Sequence, residues 1–122
     1  MAINIEKIGY ILQDFVSGTP DIQGASLVTP DGLPLAATIP SGLDEERVAA
    51  MSAAMLSLGE RIGDELTRGV IDRIFVEGTD GFAILTSCGA DAVFLVLANK
   101  AAKQGVLMLE IKRATSEIKL VL

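Results

Sequence analysis

The chain contains no histidine and no tryptophan, and only one cysteine, Cys88. Without histidine it lacks the commonest metal ligand and the base of a Ser-His-Asp triad. A lone cysteine excludes an internal disulfide and any cysteine-based metal cluster. No metal site and no cofactor is therefore expected. Cys88 precedes Gly89 after a strand-like segment with no base nearby, which reads as a structural thiol and not a nucleophile. The glycines spell no phosphate-binding loop, neither G-x-x-x-x-G-K-[ST] nor a strand-linked G-x-G-x-x-G. Carboxylates remain for acid–base chemistry, but Asp44, Glu45, Glu46, Glu60, Asp64 and Glu65 sit where a solvated helix face needs charge. No catalytic residue can be nominated, and the chain is expected not to be an enzyme.

Positive charge is also scarce. Ten Lys and Arg against 16 Asp and Glu leave a net charge of −6, which argues against nucleic acid, whose phosphates are neutralised by cations. Half the residues are hydrophobic, yet no apolar run approaches the ~18 to 20 residues of a membrane span. Met-Ala-Ile-Asn-Ile-Glu at the start has no basic segment leading into an apolar one, so no secretory signal is expected and the localisation reads as cytoplasmic. A chain of 122 residues is expected to be one domain, residues 1–122.

What is present is organised around Asp44 to Arg68, a proline-free stretch that predicts a long helix. Steps of about 100° stack Val48, Met51, Met55, Leu58, Ile62 and Leu66 into one stripe of large apolar side chains, which is expected to face the core. Beside it runs a shoulder of Ser52, Gly59 and Gly63 with Leu56 and Ala49. A glycine inside a helix costs about 1 kcal/mol relative to alanine, so the pair leaves room for something lying close. Two candidates stand level: another helix, most simply from a second copy of the chain, or the protein's own sheet and loops.

The remaining elements follow from periodicity and punctuation. Residues Asn4 to Ser17 carry Ile5, Ile8, Ile11, Leu12, Phe15 and Val16 on one side, a surface helix with Asn4 as N-cap and Gly18-Thr19-Pro20 as stop. Ile22 to Thr29 and Leu33 to Ile39 predict a hairpin around Pro30-Asp31-Gly32, the second strand being an edge because of Pro34. Gly69 is expected to end the long helix. Val70 to Glu77 and Phe82 to Ser87 form a second hairpin around an Asp-Gly turn. Ala92 to Ala98, AVFLVLA, is the expected central strand. A last helix from about Gln104 gathers Leu107, Met108, Ile111, Ala114, Ile118 and Leu122, leaving Val106, Leu109 and Leu120 off that face. The fold class is α+β: a five-stranded antiparallel sheet with helices on both faces, in the order α-β-β-α-β-β-β-α. The uncovered third strand, VIDRIFVE, invites self-pairing across a two-fold axis, where Asp72 and Arg73 would meet opposite charges.

In this order and spacing the residues resemble the Roadblock family of dynein light chains and their bacterial and archaeal relatives. The likeness rests on GASLVTPDGLPLA at Gly24 to Ala36, DEERVAAMSAAMLSLGER at Asp44 to Arg61, VEGTDGFAIL at Val76 to Leu85, and A-x-K-Q-G-V-L from Ala101. It implies a profilin-like arrangement with strand order second, first, fifth, fourth, third. It also implies a homodimer in which third strands join two sheets and second helices run side by side, through Ser52, Leu56, Gly59, Gly63, Ile71, Arg73, Ile74 and Phe75. Members usually regulate or scaffold small Ras-like GTPases, and the bacterial gliding-motility subunit promotes GTP hydrolysis without an arginine finger. By resemblance Ala50, Ala53, Ser57, Glu60, Arg61, Asp64 and Arg68 would form the partner-binding deck. The end at Leu122 leaves no long C-terminal extension, which speaks against a nucleotide-exchange role. The alternatives are a structural subunit of a motor-like or polarity assembly and, from another class, a small-ligand sensor, for which no buried polar cluster can be named.

Overall fold

In a computed structural model, which describes residues 3–122, the chain runs α1 (Ile5–Gly18), β1 (Ile22–Val28), β2 (Pro34–Thr38), α2 (Glu45–Glu65), β3 (Arg73–Glu77), β4 (Gly81–Ser87), β5 (Val93–Asn99) and α3 (Gln104–Lys119). All neighbouring strands are antiparallel, in the order β2-β1-β5-β4-β3. The apolar run is thus the middle strand, hydrogen-bonded on both sides, and β2 and β3 are the edges. Two-residue alternation divides the sheet residues between two cores. Phe94, Val96 and Ala98 join Ile8, Leu12 and Phe15 of α1 and Leu107, Ile111 and Ile118 of α3, with the Phe15 and Phe94 rings 5.6 Å apart. Val93 and Leu95 point the other way, to Val48 and Ala49 of α2. The result is three layers, two helices on one face and one on the other.

Local chemistry explains the boundaries. Asn4 caps α1 by accepting from the Lys7 N–H at 3.1 Å, and Asp44 caps α2 by accepting from Glu46 N–H at 3.0 Å. Gly32 takes φ +97° in the β1–β2 turn, a conformation that glycine adopts without strain. The end of α2 departs from expectation. Thr67, at φ +57°, holds the left-handed position. Thr67 N–H donates to Asp64 O and Arg68 N–H donates to Gly63 O at 2.8 Å, the paired bonds of a Schellman cap. Gly69, φ +88°, turns the chain only afterwards. Residues 70–72 then lie along α2 before β3 begins at Arg73, so the third strand is shorter than the expected Val70 to Glu77.

The largest correction concerns which face of α2 meets the sheet. Its buried residues are Val48, Ala49, Ser52, Gly59 and Gly63. Of the large-residue stripe only Val48 is fully inside and Met55 half-buried against the core, while the rest turns outward: Met51, Leu58 and Leu66 are 58, 59 and 62% exposed. The reason is distance. A Cβ on Gly59 would meet Ile74 Cδ1 at 2.5 Å, and one on Gly63 would overlap the carbonyl oxygen of Gly69 and reach Ile71 Cδ1 at 3.0 Å. The two glycines are therefore the seam that lets α2 lie on its own β3 and the segment leading into it. Of the two occupants open for that shoulder, it is the protein's own sheet and loop, and Ser52, Gly59 and Gly63 do not form the surface expected to meet a second copy.

The two glycines should respond differently to alanine. At Gly63 the obstructing atom is backbone and cannot swing aside, so Gly63→Ala should lower unfolding free energy by about 1 to 3 kcal/mol despite the ~1 kcal/mol helix gain. Ile74 can rotate its terminal methyl, so Gly59→Ala should be close to neutral. Equal urea midpoints for both variants would contradict this account of the seam. Ser26 offers a further test: its hydroxyl is buried with no hydrogen-bond partner. Ser26→Ala should raise stability by about 1 kcal/mol in the same titration.

Candidate protein–protein interface

The outward stripe lies on a particular side of α2. Met55, Leu58 and Ile62 face Ile71, Arg73 and Ile74 across a shallow groove of about 250 Å³. One wall is helix, and the other is the start of the edge strand. Val76, half exposed on the same strand, extends the apolar surface, and β3 pairs only with β4 among the described residues. A row of free main-chain groups thus runs beside a row of exposed large side chains. Surfaces of this kind are uncommon on monomers and mark sites of association.

The edge strand is tied to its neighbours at both ends. Lys100, just past β5, donates to Glu77 Oε2 at 2.5 Å and to Gly78 O at 3.0 Å, while its ammonium lies 4.9 Å from the centre of the Phe82 ring. Phe82 in turn packs on Phe75 of β3, with ring centres 5.2 Å apart. At the other end Thr86 Oγ1 donates to Asp72 O at 3.1 Å. Exposed ion pairs contribute little singly, but these contacts fix both ends of a five-residue strand.

Among the residues expected at a homodimer junction, Ile71, Arg73, Ile74 and Phe75 do sit on or beside the edge strand. Leu56 is half-buried against the sheet with the glycines. Of the stripe that periodicity assigned to the interior, Val48 is buried and Met55 half-buried against the core, whereas Met51, Leu58, Ile62 and Leu66 are exposed. The expected partner deck divides similarly. Ser57, Glu60, Arg61, Asp64 and Arg68 are exposed, with Arg61 Nε donating to Glu65 Oε1 at 3.2 Å and Arg68 Nε to Leu66 O at 3.0 Å. Ala50 and Ala53 have a nearer neighbour: a Cβ on Gly32 would lie 3.7 Å from Ala50 Cα and 3.5 Å from Ala53 Cβ. Their small side chains make room for the β1–β2 turn, so the flat approach read from them is already taken in part by the chain itself. No described helix is long and apolar enough to cross a membrane.

Comparison with known proteins agrees with the architecture. The family model for the Roadblock/LC7 domain matches residues 9–98. An uncharacterized protein of Methanocaldococcus jannaschii is 31% identical over 101 residues, covering 83% of this chain and 88% of its own. A Roadblock/LC7 domain from Streptomyces avermitilis superposes with a TM-score of 0.82 at 23% identity, covering 91% of this chain and 93% of its own. Myxococcus xanthus MglB gives 0.88 at 18% identity, covering 99% of this chain and 91% of its own. The order α-β-β-α-β-β-β-α and the sheet order are common ground with that family.

Cys88 lies wholly inside the protein, its thiol 3.8 Å from Thr115 O. Burial pushes its pKa from 9.0 up to about 11, opposed in part by the charge of Lys119. The folded protein therefore keeps its thiol proton where the unfolded chain loses it. Stability contributed by the neutral thiol is complete below pH 9 and declines as pH rises from 9 toward 11. Native protein at about pH 8 should leave Ellman's reagent unreacted, and the thiol should titrate fully on adding denaturant. Rapid reaction in the folded state would contradict this placement.

Proposed function

The chain belongs to the Roadblock/LC7 family, and from that premise we propose that it is a non-enzymatic homodimeric adaptor that regulates or scaffolds a small Ras-like GTPase. One observation carries the dimer: the exposed residues Met51, Leu58, Ile62 and Leu66, with half-buried Met55 among them, flank the open edge of β3 on one side of the molecule. A two-fold axis beside β3 satisfies both at once. Edge strands pair into one continuous sheet, and the α2 helices meet along their stripes. If the axis passes through Phe75, antiparallel pairing sets Arg73 opposite the partner's Glu77, a favourable cross-strand charge pair. This replaces the glycine-to-glycine contact expected from the sequence.

The GTPase assignment rests on family membership and on the polar back of α2, where Ser57, Glu60, Arg61, Asp64 and Arg68 stay clear of the proposed junction. Pairing two protomers makes this back a deck shared by two chains. The same surface serves a purely structural subunit of a larger assembly, and the two readings separate by experiment.

Leu58→Asp combined with Ile62→Asp should convert dimers to monomers in sedimentation analysis without changing the circular dichroism spectrum, since both side chains are exposed in the protomer. Losing two such apolar anchors should weaken association by on the order of 100-fold or more. Dimers that persist would overturn the stripe as the junction. Arg61→Glu should leave the dimer intact and weaken binding of a Ras-like GTPase encoded in the same genome, read as single-turnover GTP hydrolysis with and without this protein. No binding and no rate change with any such GTPase would favour the structural-subunit reading.

A further inference from the structure

The charges of β3 stand only at its ends. Arg73 opens the strand and Glu77 closes it, with Ile74, Phe75 and Val76 between. Two-residue alternation puts Arg73, Phe75 and Glu77 on one face of the sheet, and both charged residues are exposed. Their surroundings differ. Glu77 accepts from Lys100 Nζ, which fixes the carboxylate at the end of the strand. Arg73 has no carboxylate partner among the described residues, and its neighbour across β4 is the neutral Thr86. The open edge therefore ends in an uncompensated cation on one side and a positioned anion on the other.

Symmetry restricts how such an edge meets a copy of itself. Antiparallel neighbours alternate between hydrogen-bonded and non-hydrogen-bonded pairs, so a two-fold axis must pass through a residue opposite its own copy. An axis at Ile74 would set Arg73 opposite Phe75, and one at Val76 would set Glu77 opposite Phe75; neither joins a charge to its opposite. With the axis at Phe75, Arg73 faces Glu77 and Glu77 faces Arg73, so both pairs are favourable at once. The stripe on α2 gives the same centre independently. Met51 and Leu66, like Met55 and Ile62, lie equally far along the helix from the midpoint of Leu58 and Gly59. Gly59 rests on Ile74, beside Phe75. One axis therefore serves strand and helix.

Resting on the homodimer proposed above, we propose that Arg73 and Glu77 are the recognition code of the β3 junction. They fix its register and select the strand that joins it: one carrying a cation and, four residues later, a carboxylate, as a second copy of this chain does. An edge with like charges at these positions is refused, because like charges directly opposite each other are destabilising. The apolar stripe supplies attraction, and the charges supply discrimination.

Charge reversal tests the code in the full chain. In a homodimer, Arg73→Glu sets carboxylates opposite each other at both ends of the junction, and Glu77→Arg sets cations there. Each variant alone should dimerise about tenfold or more weakly than the unsubstituted chain in sedimentation analysis at low salt. Mixed in equal amounts, with one chain isotope-labelled, the two should form heterodimers well above the statistical share in native mass spectrometry, because every cross-strand pair is then attractive. Glu77→Arg also confronts Lys100 within its own protomer. The double variant Glu77→Lys with Lys100→Glu keeps an ion pair at that end with its signs exchanged, and it should pair with Arg73→Glu in the same way. Single variants that dimerise like the unsubstituted chain, or mixtures at statistical proportions, would overturn the code and leave the dimer through the stripe standing. An unsubstituted chain that stays monomeric up to about 100 μM would overturn the dimer and the code together.

Discussion

The close approach of α2 to the sheet is the contact on which the other features depend. Ala49, Ser52, Gly59 and Gly63 give α2 a face almost without side chains, so the helix settles near Ile71 and Ile74. Glycine inside a helix is unfavourable by about 1 kcal/mol, and the return is proximity: apolar atoms of β3 and its lead-in segment reach the helix surface itself. This docking rotates the large side chains of the same helix outward. The seam inside the protomer and the stripe outside it are two consequences of one choice of residues.

How much of this was legible in the sequence follows from what periodicity encodes. The eight elements, the central place of Ala92 to Ala98 and the two edge strands could be read because alternation, proline and Asp-Gly turns act locally. The orientation of α2 could not. Spacing showed that Met51, Met55, Leu58, Ile62 and Leu66 share a face that has to be covered, but a helical pattern is silent on whether the cover is the chain's own sheet or another molecule. The habit of placing the largest apolar face inward assigned the whole stripe to the core, and spacing left the glycine shoulder open between a second copy and the chain's own sheet; distance settles the shoulder on Ile71, Ile74 and Gly69 and leaves most of the stripe outside. The Gly32 contact with Ala50 and Ala53 was hidden for a related reason, since it joins a turn to a helix more than a dozen residues away. The cap at Thr67 escaped notice because Gly69 offered the more usual signal.

A cavity beside Lys103 was hidden differently. Its lining comes from residues 18–22 and 101–113, segments that are unremarkable one at a time: a helix stop and an Asn-Lys-Ala-Ala-Lys loop. Only the pairing of β1 with β5, which ends at Ile22 and Ala98, brings the two loops to the same end of the sheet. A lining assembled across that distance leaves no spacing pattern in the sequence.

The geometry of the layers explains why one face is left incomplete. Five strands at about 4.8 Å spacing make a sheet roughly 24 Å across, whereas one helix with its side chains covers about 10 Å. The face under α1 and α3 has two helices and a closed core that reaches Phe75 at the β3 edge. The other face has α2 alone, seated mainly over β1 and also over β2, β5 and β3, and its uncovered margin is where Leu58, Ile62 and Val76 crop out. A second helix of the same length, lying beside α2 with its own large residues inward, would complete this face as α1 and α3 complete the other. In the proposed dimer that helix is α2 of the second copy, and the open edge of β3 fixes the side from which it arrives.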